Sequence, residues 1–179
     1  SLGLTYLLAR RLCGARMAGW TAAILATLPG FVHVTHWLLV DNALLLFCVA
    51  TIWALAEAYV GGRYSFLALA GLAAAGAFLC KGVIGPAVIG VAALGLFAPW
   101  AIERASASKA GVFPGWLCWG AWHFAGLLVF LGICMAWAAA FRAAAGPELF
   151  REWWHSNHVG RFSGQAVQLG HINPNPLYY

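Results

Sequence analysis

The sequence predicts an all-α integral membrane protein, a polytopic bundle of transmembrane helices with a helical segment on its outer face. Of its 179 residues, 63% are hydrophobic and only 8% are Asp, Glu, Lys or Arg. A soluble domain carries about 25% charged residues, so this composition excludes a water-soluble globule. Apolar runs of membrane-spanning length alternate with short polar clusters, which is typical of a multi-pass protein. The charged residues, with a net charge of +5, are too few to cover a surface in contact with water. The positions of the positive ones nevertheless indicate how the chain is oriented in the membrane.

Four apolar stretches follow a short helical remnant at residues 2–8 and are candidates for membrane spans. They are residues 17–34, 38–59, 66–100 and 114–140. The third stretch is interrupted at Lys81 and would be about 52 Å long as one helix, too long for a bilayer core of about 30 Å. Two full spans would need about 40 residues, so we expect a hairpin of two short spans or a re-entrant pair.

These stretches divide the chain into two predicted parts. Residues 1–140 form a transmembrane bundle of about five spans plus the helix remnant, and residues 141–179 form a periplasmic or interfacial segment. The chain opens at Ser1 in the middle of an apolar helix and stops at Tyr179 without a charged tail. We therefore expect it to be a piece of a longer protein, truncated at both ends and inactive alone.

The positive charges predict the orientation of the bundle. If the cluster over residues 10–16 faces the cytoplasm, then Arg63, Arg104 and Lys109 also fall inside, provided that residues 66–100 cross an even number of times. This arrangement places Asp41, Lys81 and everything after residue 140 on the outer side.

Asp41 and Lys81 are the ionisable residues most directly associated with apolar sequence. Asp41 follows an apolar stretch near the start of a span, where it is either a solvated helix cap or a functional acid. Lys81 interrupts a long apolar run, where it either snorkels to the interface or lines a water-filled cavity. In the second case, it would bind an anion such as phosphate together with the amides of the following half-helix.

The C-terminal segment is rich in His, Arg and aromatic residues and begins as an amphipathic, interfacial helix. His155 and His158 lie three residues apart and would share one helical face. Two histidines at this spacing suit a metal, yet no third ligand is evident nearby. The alternative is a segment that anchors the chain at the interface without chemistry of its own.

The order of four motifs resembles one family. Residues 39–45 (LVDNALL), 78–82 (FLCKG), 158–162 (HVGRF) and 171–179 (HINPNPLYY) resemble, in order and sidedness, motifs of the polyprenyl-phosphate-sugar glycosyltransferases of the PMT and aminoarabinose-transferase type, which have the GT-C fold. The resemblance covers nearly the whole chain.

The resemblance implies transfer of a sugar from a polyprenyl-phosphate donor to an acceptor (lipid A, a glycan or a protein) at the outer face of a bacterial inner membrane. Lys81 and Arg161 would hold the donor phosphate, and His158 would lie beside the phosphate or a metal. Asp41 would be the catalytic residue present here, positioning donor or acceptor or helping His158 to hold a divalent metal ion. The family's main catalytic acid, in its first outer loop, would precede Ser1. The implied partners are the lipid-linked donor and membrane lipid, with no nucleic acid.

The residues are also compatible with two other functions. A broken helix with a central lysine also suits a transporter or flippase for an anionic lipid or solute, although no inverted repeat is evident. The second alternative is a non-catalytic membrane scaffold, which would leave Lys81 and the C-terminal segment rich in His and Arg without a role. The sequence shows no glycine-rich nucleotide loop, in keeping with a donor that carries its phosphate on a lipid.

Overall fold

The computed structural model describes residues 1–36, 40–109 and 116–155, and within them every side chain except those of residues 34–36, 104–109 and 116. Each regular element in these residues is an α-helix. The helices are α1 (Leu2–Cys13), α2 (Ala15–Thr27), α3 (Pro29–His36), α4 (Val40–Tyr59), α5 (Phe66–Lys81), α6 (Ile84–Lys109), α7 (Trp116–Ala145) and α8 (Pro147–Trp154). The predicted all-α class is confirmed.

Three of these helices are long and apolar enough to cross a bilayer within the described ranges: Val40–Tyr59, Ile84–Glu103 and Leu117–Ala145. Helix α5 is also apolar but has 16 residues, which gives a length of about 24 Å. The chain is therefore a polytopic helical membrane protein. It forms two compact units, residues 1–134 and 135–179, and α7 begins in the first and ends in the second.

The N-terminal helices differ from the sequence prediction in two places. Arg10 and Arg11 lie in the last turn of α1 rather than in a loop, where positive charge interacts favourably with the helix dipole. The expected span over residues 17–34 is divided at Leu28, which is extended (φ −65°, ψ 121°) before Pro29. Proline disfavours a helical conformation in the residue before it, so α3 starts afresh at Pro29.

Helices α4 and α5 form the centre of the first unit, and α4 also contacts α1 and α6. The two helices run antiparallel, since Trp53 near the end of α4 packs edge-to-face on Phe66 at the start of α5, with ring centroids 5.4 Å apart. Their buried positions are mainly alanines, including Ala54, Ala58 and Ala70. Small residues let helix backbones approach closely, and this packing is the main source of association between helices inside a membrane.

The apolar stretch over residues 66–100 folds as a hairpin of two helices, as predicted, but only α5 is short. Helix α6 is long and apolar enough to cross a bilayer and continues to Lys109. Helix α5 ends at Lys81 and α6 begins at Ile84. Ile89 of α6 belongs to the same buried cluster as Ala70 and Ala77 of α5, so α6 packs back along α5. The break therefore places Lys81 at the end of the bundle where α4 begins.

Candidate functional site

Asp41 and Lys81 are 40 residues apart in sequence and form an ion pair. The Lys81 Nζ donates a hydrogen bond to Asp41 Oδ1. The pair joins the first turn of α4 to the last residue of α5. Ionisable residues in or near membrane spans commonly pair with one another, as Asp41 and Lys81 do at the ends of α4 and α5.

Gly82 creates the break that presents Lys81. Its backbone has φ 61° and ψ −138°, a conformation that side chains strongly disfavour. Its N–H donates to the Phe78 carbonyl oxygen at 2.7 Å and so closes α5. Two residues later α6 starts, and its first amides have no acceptor within the helix. Lys81 thus lies between the end of one helix and the amide-rich start of another.

The pair remains accessible from outside the protein. The Lys81 side chain is 40% exposed and the Asp41 side chain is 49% exposed. An ammonium group has three N–H donors and a carboxylate has about four acceptor positions, so one hydrogen bond leaves capacity on both partners. The site can therefore bind an anion through Lys81 and a hydroxyl through Asp41 while the ion pair persists.

The other two predicted site residues, His158 and Arg161, lie outside the described residues, and their roles stay predictions. Within the described residues, no group of three His, Cys, Asp or Glu side chains is arranged to hold a metal ion. Asp41 alone is too small a donor set for a divalent cation, which prefers several oxygen or nitrogen ligands. The described residues of the site supply one ammonium and one carboxylate, and the metal ion stays a prediction.

A second charged cluster lies at the opposite end of α4, about 24 Å from Asp41 by helix rise. The Glu57 carboxylate lies 3.5 Å from an Arg63 guanidinium nitrogen and 3.9 Å from one of Arg11, and its side chain is only 13% exposed. The charge pattern of the sequence predicts only that Arg63 lies on the inner side of the membrane. The contact of Glu57 with Arg11 depends on the packing of α1 against α4, which the local sequence does not reveal.

The same end carries an aromatic cluster that the sequence analysis did not single out. The His123 Nδ1 lies 2.8 Å from the Trp119 carbonyl oxygen, and His123 Nε2 lies 2.8 Å from the Tyr59 hydroxyl. A carbonyl only accepts, so Nδ1 carries the hydrogen, and in the neutral ring Nε2 accepts from Tyr59. Trp100 stacks on Trp119 with centroids 5.4 Å apart. A histidine within an apolar run was the available sequence signal for this cluster.

Comparison with known proteins adds an independent finding. The chain matches the family model of the dolichyl-phosphate-mannose-protein mannosyltransferases over residues 1–130. No curated protein and no solved structure gives a significant match. The matched segment covers well over half of the chain and includes both Asp41 and Lys81, so it confirms the family resemblance. The motifs at residues 158–162 and 171–179 lie beyond the matched segment. The chain belongs to the dolichyl-phosphate-mannose-protein mannosyltransferase family of membrane glycosyltransferases.

Proposed function

We propose that this protein transfers a sugar from a polyprenyl-phosphate donor to an acceptor hydroxyl at the outer face of a bacterial inner membrane. The acceptor would be lipid A, another glycan or a protein. The observation that carries the proposal is the Asp41–Lys81 pair at the break between α5 and α6. The pair supplies a cation and a carboxylate, which are the two kinds of group this transfer needs.

Lys81 is proposed to hold the donor phosphate. One of its three N–H groups is directed at Asp41 Oδ1, and the other two remain for phosphate oxygens. The first amides of α6 add donors and the positive end of a helix dipole. Arg161 is proposed as the second phosphate contact, with His158 beside the phosphate or a metal.

Asp41 is proposed to act on the acceptor. In the transfer, the acceptor oxygen bonds to the anomeric carbon of the sugar and the bond from that carbon to the phosphate oxygen breaks. The phosphate leaves with the electron pair, and the proton of the acceptor hydroxyl passes to a base. Asp41 would orient that hydroxyl or receive its proton. The resemblance also implies a further acid in the family's first outer loop, and a divalent cation held by Asp41 and His158 remains part of this proposal.

The test uses membranes that contain the intact gene product and a radiolabelled polyprenyl-phosphate sugar. Loss of label from the lipid is followed in the wild type, Asp41→Asn and Lys81→Ala, with and without acceptor. We expect acceptor-dependent loss in the wild type and a fall of about 100-fold or more in each variant, as for removal of a general base or an electrostatic stabiliser. The matched controls are Glu103→Gln and Arg16→Ala, exposed charged residues away from the pair, which should keep wild-type rates.

Other outcomes would replace the proposal. Label that crosses the bilayer but stays on its lipid would establish the transporter or flippase function instead. Transfer that persists unchanged in both Asp41→Asn and Lys81→Ala would remove the ion pair from the active site, although the family membership would stand.

A further inference from the structure

The second compact unit contains a groove that the proposed transferase does not use. It lies between the last turns of α7 and the start of α8, and has a volume of about 670 Å³. Its apolar lining consists of Met135, Ala138, Ala139, Ala143, Pro147 and Phe150. Its size falls within the range of about 300–1,000 Å³ that is typical of small-molecule sites.

The local sequence explains why the groove exists. Alanines on α7 leave space where larger side chains would fill it. Gly146 (φ 85°) and Pro147 at the first helical position turn the chain into α8. Trp153 then packs on Trp137 and Phe141, with ring centroids 5.0 and 5.6 Å apart. These ring contacts hold α8 against α7, so the groove is formed without a ligand.

Two arginines flank the groove. Arg142 lines it and also lines an adjoining hollow of about 340 Å³, together with Arg151 and Glu148. Neither guanidinium has an ion-pair partner among residues 1–36, 40–109 and 116–155. The two guanidiniums and the one carboxylate carry a net charge of +1. This charge complements a phosphodiester, which carries a single negative charge, and guanidinium is well suited to binding phosphate oxygens in pairs.

The groove lies beside the C-terminal end of a candidate membrane span, where we expect the lipid headgroups. The candidate span of α7 ends at Ala145, three residues beyond Arg142. Helix α8 is amphipathic, with Leu149 50% exposed and Trp154 46% exposed, and such residues anchor helices at the membrane interface. Met135, further from the end of α7, is 67% exposed, so the apolar wall is open at the end that we expect to meet the hydrocarbon region.

We propose that this groove binds one anionic diacyl phospholipid of the surrounding bilayer. An acyl chain lies along Met135, the alanines and Phe150, and the phosphodiester lies against Arg142 and Arg151. The site is separate from the Asp41–Lys81 pair, and the proposal holds whether or not the protein transfers a sugar.

The test uses the intact protein in vesicles that contain a phosphatidylglycerol with a photoactivatable diazirine in one acyl chain. After illumination, peptic digestion and mass spectrometry measure the label on residues 135–154. A phosphatidylcholine with the same acyl chains and diazirine is the headgroup control. We expect phosphatidylglycerol to label this segment about tenfold more than phosphatidylcholine, the ratio that 1.4 kcal/mol of selectivity gives.

Three variants separate binding in the groove from attraction to the surface. Arg142→Gln with Arg151→Gln should abolish the headgroup preference, and Ala139→Phe should lower labelling by both lipids because it fills the groove without changing charge. The control is Arg10→Gln with Arg16→Gln, which removes equal charge from exposed residues elsewhere and should leave labelling of residues 135–154 unchanged. Far-UV circular dichroism and gel filtration confirm that each variant is folded.

The proposal is overturned if the two lipids label the segment equally, or if the preference survives loss of both arginines. It is also overturned if an equimolar polyprenyl phosphate displaces phosphatidylglycerol, since the groove would then be a donor-lipid site. Displacement by millimolar inorganic phosphate alone would identify an anion site without a lipid. Arg142→Lys with Arg151→Lys keeps the charge, and we expect it to retain part of the preference.

Discussion

Among single residues, Asp41 and Lys81 are expected to matter greatly for sugar transfer and little for the stability of the fold. Both side chains are nearly half exposed, and ion pairs in such positions contribute only about 0–1 kcal/mol to stability. We therefore expect Asp41→Asn and Lys81→Ala to change the free energy of unfolding by less than about 1 kcal/mol while transfer is lost. Thermal unfolding of the purified protein in detergent measures the first effect. A collapse of the folded state in either variant would instead mark the pair as structural.

The backbone conformation of Gly82 ends α5 directly after Lys81 and so fixes the position of Lys81. Its conformation (φ 61°, ψ −138°) is close to a region that only glycine populates readily, and forcing a side chain into such a region costs about 1–3 kcal/mol. We expect Gly82→Ala to lower both the unfolding temperature and the transfer rate.

Gly90 provides the control for this substitution. It lies inside α6 with open space around the position that a Cβ would occupy. Gly90→Ala should leave stability unchanged or slightly raised, since alanine favours a helix and restricts the unfolded chain. Equal unfolding temperatures for the two alanine variants would contradict the role given to Gly82.

At the scale of helices, two glycines set the distance between α5 and the part of α7 in the first unit. A Cβ on Gly126 would lie 2.5 Å from the Leu67 carbonyl oxygen, and a Cβ on Gly71 would clash with the Gly126 carbonyl oxygen. Close backbone contact through small residues is a common mode of helix packing in membranes. The contact requires glycine on both helices.

We expect Gly126→Ala to destabilise the protein by about 1–3 kcal/mol, the usual cost of overpacking a rigid site. The clash is with backbone, which cannot move aside as a flexible side chain does. Gly120→Ala, also in α7 but with nothing within 4 Å of the new Cβ, is the matched control. Thermal unfolding in detergent compares the two, and similar midpoints would show that the helices separate without cost.

At the scale of the whole molecule, the two charged clusters predict which face of the membrane each end meets. Asp41 and Lys81 lie at one end of the α4–α5 pair, and Glu57 and Arg63 lie at the other. The positive-inside rule predicts that the end with Arg11 and Arg63 faces the cytoplasm. The proposed active site would then face outwards.

Cysteine labelling tests this orientation in right-side-out spheroplasts. The five native cysteines are first replaced by serine or alanine, and then Asp41→Cys and Arg63→Cys are made singly; the native side chains at these positions are 49% and 61% exposed. We expect a membrane-impermeant maleimide to label Asp41→Cys directly and Arg63→Cys only after permeabilisation. The reverse pattern would invert the topology and move the ion pair to the cytoplasmic face.

Local pattern predicted the helical class, the interruption at Lys81 and the two residues of the ion pair. These features can be predicted because the free-energy cost of placing a charge or an unpaired backbone group in hydrocarbon is large and applies to each segment separately. The boundaries of the helices were harder to predict from the sequence. The division of residues 17–34 at Leu28 and the helical state of Arg10 and Arg11 depend on a single proline and on contacts of α1 with its neighbours.

Composition and hydropathy are properties of the residues alone, and they are sufficient to predict a polytopic bundle of helices with a carboxylate and an ammonium near the ends of its apolar segments. The packing of the helices was needed to show that Asp41 pairs with Lys81, that Arg11 of α1 reaches Glu57 of α4, and that α8 folds back on α7 to leave a groove. Such pairings join residues far apart in the chain or on different helices. They depend on the register and spacing of packed helices, which small residues such as Gly71 and Gly126 set through contacts that no local pattern encodes.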